Sequence, residues 1–437
     1  MEKDTMQKSK QRRKPETKPP TTVYDVPDHL LKLIFRRLDS QVSFIRAAAV
    51  CTRWRRIAST RGFANQDWHR YDWYHPDFSR SVGDYHVVDP SFSPGPRSPQ
   101  PQRRRVVFIP ASPSIDARHF TLDFLPSGSG GRPWELIDVC GSLLLLANQR
   151  RGFFPDLVIC VPISRDFVRI PRIENLKYSH CLGVFLNRNG GFSLTCVLYE
   201  RSMGIADGVS FVTARVYRHQ PPGHRRWRRH GWSLSSSGGI HVRGVAESAH
   251  YAGRCKGMIF WGIEDDGSVL ALRQDTGVFC HLRLPEHVRG SHHRSSFRFV
   301  EDDGVDSLVR VVSLIGEELR VFLKKEHSNG GGDWVLVRSL HLPEATRGLP
   351  GYKECFFSHT AKIVTAGKGY VVLTPAEEAW MFSVELGTMQ VEREHIRNRL
   401  VGEVYPYELP LRPKVRVCVL DCKRGRGGPC YDICKCK

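Results

Sequence analysis

Near the start of the chain, Leu30, Leu31, Ile34, Phe35 and Leu38 recur at steps of one, three and four residues, the spacing of an apolar stripe along a helix. Lys32, Arg36 and Arg37 fall on the other side. Pro27 suits the first helical turn, where its missing N–H costs nothing, and Asp28 places a negative charge where the helix dipole favours one. Asp39 and Ser40 interrupt the stripe and predict the cap of a second helix, running through Phe44, Ile45, Ala47, Ala48, Ala49, Val50 and Cys51 to Trp54 and Ile57. The alanines permit close helix approach, and Trp54 is a large anchor of the kind enriched at interface hot spots. Trp54, Val50, Leu31, Ile34 and Leu38 are too many large apolar groups for so short a unit to bury alone. The segment therefore reads as a docking module that needs a partner surface.

From about residue 105 the texture changes. Runs rich in Val, Ile, Leu, Phe and Tyr occur at 105–109, 143–146, 157–161, 194–199, 211–216, 269–272, 309–314, 319–323, 334–338 and 370–373. Clusters such as Asn189-Gly190-Gly191 and Asp265-Asp266-Gly267 separate them, as turns separate strands. Beyond a short turn at 376–380, no long helix-period segment intervenes. The pattern predicts antiparallel meanders, not strand–helix–strand units. A weak repeat runs through it. A small-residue turn followed by an aliphatic strand recurs as CGSLLLL at 140–146, CKGMIFW at 255–261 and GKGYVVL at 367–373. The phrases VRIP at 168–171, LRLP at 282–285 and LHLP at 340–343 end strands.

The string Val-Pro-Asp-x-Leu-Leu-x-x-Ile-Phe-x-x-Leu, followed by Val-Cys-x-x-Trp-Arg-x-Ile-Ala, resembles the F-box over residues 23–60. Val26 stands where that family usually has Leu. The resemblance implies a small helical module that docks on the adaptor Skp1, and through it on cullin-1, in a ubiquitin ligase. Carried over by position, the adaptor-facing or core residues are Pro27, Leu30, Leu31, Ile34, Phe35, Leu38, Val50, Cys51 and Trp54. The repeat resembles the β-propeller that follows the F-box in many plant proteins. At roughly 40–50 residues per blade, six or seven blades are expected, with a β-sandwich pair as the alternative architecture. The expected division is a basic tail at 1–22, the F-box at 23–62, a linker at 63–104, a β-rich substrate-binding domain at 105–410 and a basic, Cys-rich tail at 411–437. The expected role is a non-catalytic receptor that captures a protein substrate.

Composition adjusts this picture. The 437 residues carry a net charge of +20, which attracts acidic partners without choosing among them. A basic nucleic-acid-binding or scaffold protein outside ubiquitination is the alternative it keeps open. The basic run Arg225, Arg226, Trp227, Arg228 and Arg229 is a candidate partner-binding loop, with a solvated loop as the plainer reading. Thirteen cysteines in this length fall well below disulfide-scaffold density, and Cys160, Cys181, Cys196 and Cys280 read as reduced, buried thiols inside strands. Cys418, Cys422, Cys430, Cys434 and Cys436 lack the paired spacing of a zinc site. There is no His-Glu-x-x-His, nucleophile elbow, phosphate-binding loop or dinucleotide fingerprint, so no cofactor, metal or catalytic residue is assigned. The leading segment has no apolar stretch and the longest aliphatic run is 143–147, which predicts an intracellular protein without a membrane span.

Overall fold

The computed structural model describes residues 22, 25–38, 40–58, 81–88, 104–128, 131–148, 154–173, 179–187, 193–206, 209–219, 232–235, 239–243, 248–264, 268–285, 288, 296–301, 309–325, 333–375, 380–400 and 402–409. All of the expected basic tail at 1–22 except its last residue, the basic loop 225–229 and the C-terminal cysteines lie outside these residues. Two compact units result, one holding the N-terminal helices and the other the strands. No helix among the described residues is long and apolar enough to cross a membrane.

The helical unit contains α1 (Asp28–Arg36), α2 (Gln41–Val50) and α3 (Thr52–Ala58). Pro27 is the residue before α1, with an extended backbone, one position earlier than expected. Ser40 caps α2 by accepting the Ser43 N–H at 3.1 Å. The single helix expected from Phe44 to Ile57 is in fact two. Cys51 leaves helical geometry at φ −153 and ψ 168, and its Sγ accepts the Trp54 N–H at 3.4 Å at the start of α3. Cysteine thus stands in for a hydroxyl cap, a role periodicity does not signal.

Twenty-four strands among the described residues form six antiparallel sheets. The first joins β1 (Ser81–Val88) and β2 (Arg105–Pro110) to the last strand, β24 (Gly402–Glu408). The second is β3 (Glu135–Cys140), β4 (Leu143–Asn148), β5 (Asp156–Val161) and β6 (Asp166–Ile170). The third is β7 (Ser179–Asn187), β8 (Ser193–Ala206), β9 (Val209–His219) and β10 (Trp232–Leu234), with β11 (Ile240–Arg243) also on β9. The fourth is β12 (Ala249–Cys255), β13 (Met258–Ile263), β14 (Ser268–Arg273) and β15 (Phe279–Leu282). The fifth is β16 (Phe297–Val300), β17 (Val309–Ile315), β18 (Glu318–Lys324) and β19 (Trp334–His341). The sixth is β20 (Lys362–Gly367), β21 (Tyr370–Thr374), β22 (Phe382–Glu385) and β23 (Val391–Glu392).

Neighbouring first strands pack in the order β24, β3, β7, β12, β16, β20 and back to β24. That closed circuit makes the sheets six blades of a β-propeller and excludes both a seventh blade and a sandwich pair. The chain closes the ring on itself, because β24 pairs with β1 in a register that sets Tyr405 opposite Tyr85. Strand β1 lies inside the stretch expected to be linker. Its Gly83 and Asp84 break the apolar alternation that marks a strand. One unexpected short helix, α4 (Leu342–Thr346), follows β19.

Hydrophobic cores sit between consecutive blades. Leu145, Ile159 and Leu186 join the second to the third, Val197, Trp261 and Leu270 the third to the fourth, and Leu314, Val371 and Phe382 the fifth to the sixth. At the closure, Tyr85, Phe108, Phe120 and Tyr407 form an aromatic knot, with Phe108 and Phe120 stacked 4.3 Å apart.

The sequence repeat falls at equivalent places. CGSLLLL, CKGMIFW and GKGYVVL are the turns from first to second strand in the second, fourth and sixth blades. VRIP, LRLP and LHLP close outermost strands.

Candidate functional site

The apolar positions of α1 divide between two tasks. At 100° per residue, Leu33, Leu30, Ile34, Leu31 and Phe35 sweep a continuous arc of roughly 200°, wider than one buried face requires. Leu31 and Phe35 are sealed at 0% and 1% exposure, whereas Leu30, Leu33 and Ile34 stand 43%, 49% and 45% exposed. Val50, at the end of α2, is 56% exposed.

The sealed side is satisfied. Phe35 meets Phe44 at 5.9 Å and Trp54 at 5.4 Å, both edge-on. Phe44, Ala48, Ile57 and Ala58 complete that core, with Leu38 and half-buried Trp54 packed against it. The Trp54 Nε1 donor is buried and finds no acceptor among the described residues. Arg53 clamps the start of α1 to α3. Its Nε donates to Asp28 Oδ1 at 2.8 Å and its Nη2 to the Val26 carbonyl at 2.6 Å. The helices are therefore held by their own core and clamp, and the apolar ridge is left about half exposed.

The expected site residues fall into three groups. Leu30, Ile34 and Val50 lie on the exposed ridge; Leu31, Phe35, Leu38 and Trp54 build or flank the core; Pro27 and Cys51 shape helix starts. Leu33 belongs with the ridge and was not expected. Its signal was the width of the apolar arc. Asp39 and the basic loop 225–229 lie outside the described residues.

The propeller has a polar locus of its own, on its inner strands. Asp138 on β3 is buried and accepts the Leu186 N–H at 2.6 Å and Arg254 Nη1 at 2.9 Å. Arg254, on β12, also donates to the Leu186 carbonyl on β7 at 2.7 Å. Three successive inner strands are thereby tied together. Burial pushes the Asp138 carboxyl up, against the pull of Arg254 and the Leu186 N–H. Tyr405 on β24 sets its hydroxyl against the Glu403 carboxylate and 3.1 Å from the Ile137 carbonyl on β3.

Burial pulls Arg298 on β16 down to about 10, while Glu403 and Tyr251 favour its charge. Burial pushes the Tyr251 hydroxyl up, and Glu403 adds to the push. Strands β24 and β12 stand opposite each other in the ring, so the Glu403 charge reaches Tyr251 across it. The arrangement balances each charge with an opposite one, and it braces the ring. Of the thiols expected to be buried, Cys160 and Cys196 are, Cys181 is half-buried, and Cys280 is exposed. Cys280 sits on β15, an outermost strand whose two middle residues, Cys280 and His281, are both exposed.

Residues 23–64 match the F-box-like family model. The helical unit is thus an F-box-like domain. No curated relative matches the chain. Solved structures with some likeness include a puromycin hydrolase mutant complexed with PGG, at 10% identity and TM-score 0.32, over 61% of this chain and 40% of that one. Prolyl oligopeptidase B from Galerina marginata gives 9% identity and TM-score 0.31, over 62% and 33%. An exo-inulinase from Aspergillus awamori gives 10% and 0.23, over 64% and 55%. The chain spans less than two thirds of each of those proteins. At these TM-scores the likenesses carry no conclusion about this protein. The F-box-like domain and the propeller stand on the family match and on the sheet topology.

Proposed function

We propose that the chain is a substrate-recognition subunit of a Skp1–cullin–F-box ubiquitin ligase. In this reading the F-box-like domain docks Skp1, and through it cullin-1, while the propeller captures a protein substrate. The chain contributes no catalytic residue. It raises the effective concentration of substrate lysines near a charged ubiquitin-conjugating enzyme. The work is intracellular, in cytoplasm or nucleus.

One observation carries the reading. A domain that matches the F-box-like family keeps Leu30, Leu33, Ile34 and Val50 exposed although its core is already closed. Burying such side chains on a partner gives about 2 kcal/mol each before association costs. A +20 chain that bound nucleic acid through charge would show the opposite dependence, steep in salt and indifferent to these apolar side chains.

The test is calorimetric binding of purified Skp1 to the full chain and to Leu30→Asp/Ile34→Asp. Leu31 is unsuitable for this purpose because it is a core residue. The double variant is expected to keep its helical circular dichroism and to bind about 100-fold more weakly. Equal affinity in the two proteins would overturn the assignment.

A further inference from the structure

Blade three contains a pair of sulfurs that the proposed receptor role does not use. Cys181 lies on β7 and Cys196 on β8, and their Sγ atoms are 4.0 Å apart. The ladder puts Cys181 opposite Leu198 and Val184 opposite Cys196, with the register shifting at Gly183. Leu198 and Cys196 alternate onto one face of β8, so both thiols share that face. A bulge lets one strand advance relative to the other, which brings this diagonal pair together. Gly183 meets the bulge's demand with φ +151, and a Cβ there would fall 2.5 Å from the Phe185 ring. The bulged hairpin backbone therefore sets the two thiols on one face within reach of each other.

The two sulfurs differ in environment. Cys196 is sealed in the core between the second and third blades, whereas Cys181 is half-buried on the strand that lines the ring. A disulfide needs sulfurs at about 2.05 Å, so closure asks for an approach of about 2 Å, within reach of small side-chain rotations on a fixed backbone.

We infer that Cys181 and Cys196 form a modification site, a vicinal dithiol in space that a peroxide oxidant converts reversibly to an intrachain disulfide. Cys181 is the attacking sulfur. Its thiol is pulled down by hydrogen bonds from Cys196 and the Gly183 N–H, while burial holds the Cys196 proton in place. Its thiolate attacks one peroxide oxygen, the O–O bond breaks, and the departing oxygen leaves as water after protonation. Cys181 is left as a sulfenic acid. Cys196 then attacks that sulfur, the S–O bond breaks, and its proton leaves with the hydroxyl as a second water. Two thiols lose two electrons and the peroxide gains them. A dithiol reductant reverses the step by exchange. The product staples the inner strand of the blade to its neighbour.

The experiment uses the full reduced chain, treated with hydrogen peroxide at neutral pH, quenched with an alkylating maleimide, denatured and mapped by peptide mass spectrometry. Expected is a cross-linked peptide pair carrying Cys181 and Cys196, short of two hydrogens. Both thiols should be lost to labelling together and both recovered with dithiothreitol. Exposed Cys280 and Cys355 report general thiol oxidation in the same sample. Cys196→Ala should trap the intermediate as a dimedone adduct on Cys181, with no cross-link. If that variant fails to fold, the wild-type map still decides. Cys196 remaining fully alkylatable after denaturation, while Cys280 and Cys355 are oxidised, would overturn the site. So would oxidation of Cys181 to sulfinic acid alone.

Discussion

Leu30 and Leu31 are neighbours of the same type in one helix, yet they do different work. Leu31 is sealed against Phe44, Ala48 and Ile57, and Leu30 faces outward. Leu31→Ala is expected to leave a cavity that costs about 2–5 kcal/mol. Leu30→Ala should change stability by no more than about 0.5 kcal/mol. Hydrogen exchange of the α2 and α3 amides checks both, since it reads the local opening of this unit. Similar protection in the two variants would mean that the arc of α1 is not divided as described. The stripe of apolar residues was legible from spacing alone. Which part of it the domain uses was not, because periodicity reports direction around a helix axis and says nothing about what waits there. Leu33 escaped for that reason.

Among the secondary-structure elements, most strands legible in the sequence share a property. Eight of the ten expected runs, now β4, β5, β8, β9, β14, β17, β18 and β21, are middle strands packed between blades and read as continuous aliphatic runs, and the other two, β2 and β19, are outer strands. The inner strands β3, β7, β12, β16, β20 and β24 were not legible. They carry Asp138, Arg254, Arg298 and Glu403, and five of the six, all but β16, meet the next strand through a bulged register. Polar side chains and an extra residue both destroy a period of two. Gly253 shows what the bulge demands. Its φ is +142, and a Cβ there would lie 2.2 Å from the Phe299 carbonyl oxygen of the next blade. Gly253→Ala is therefore expected to destabilise the propeller by about 1–3 kcal/mol, read as a lower Tm in scanning calorimetry. An unchanged Tm would show that this approach of blades four and five is looser than described.

At the scale of the whole molecule, ring closure is the decisive event. The chain's last described strand supplies the innermost strand of its first blade, across more than 300 residues, as the 326-residue separation of the Ser81–Tyr407 contact shows. A chain ending at Leu400 lacks β24 and leaves β1, β3 and β20 without their inner partner. It is expected to lose the single cooperative calorimetric transition and to expose edges that aggregate. A truncated protein that melts as the full chain does would count against closure by β24.

What the sequence determined by itself was local: an amphipathic helical module of F-box-like pattern, a β-rich remainder, and turns repeating at blade intervals. These follow from nearest-neighbour chemistry, since side-chain period and turn residues act within a few positions. Tertiary structure alone decided that there are six blades, that 81–88 is a strand, that α1 splits its leucines between core and surface, and that Cys181 meets Cys196. Each of those depends on which distant segment arrives alongside, and a linear pattern carries no record of that arrival.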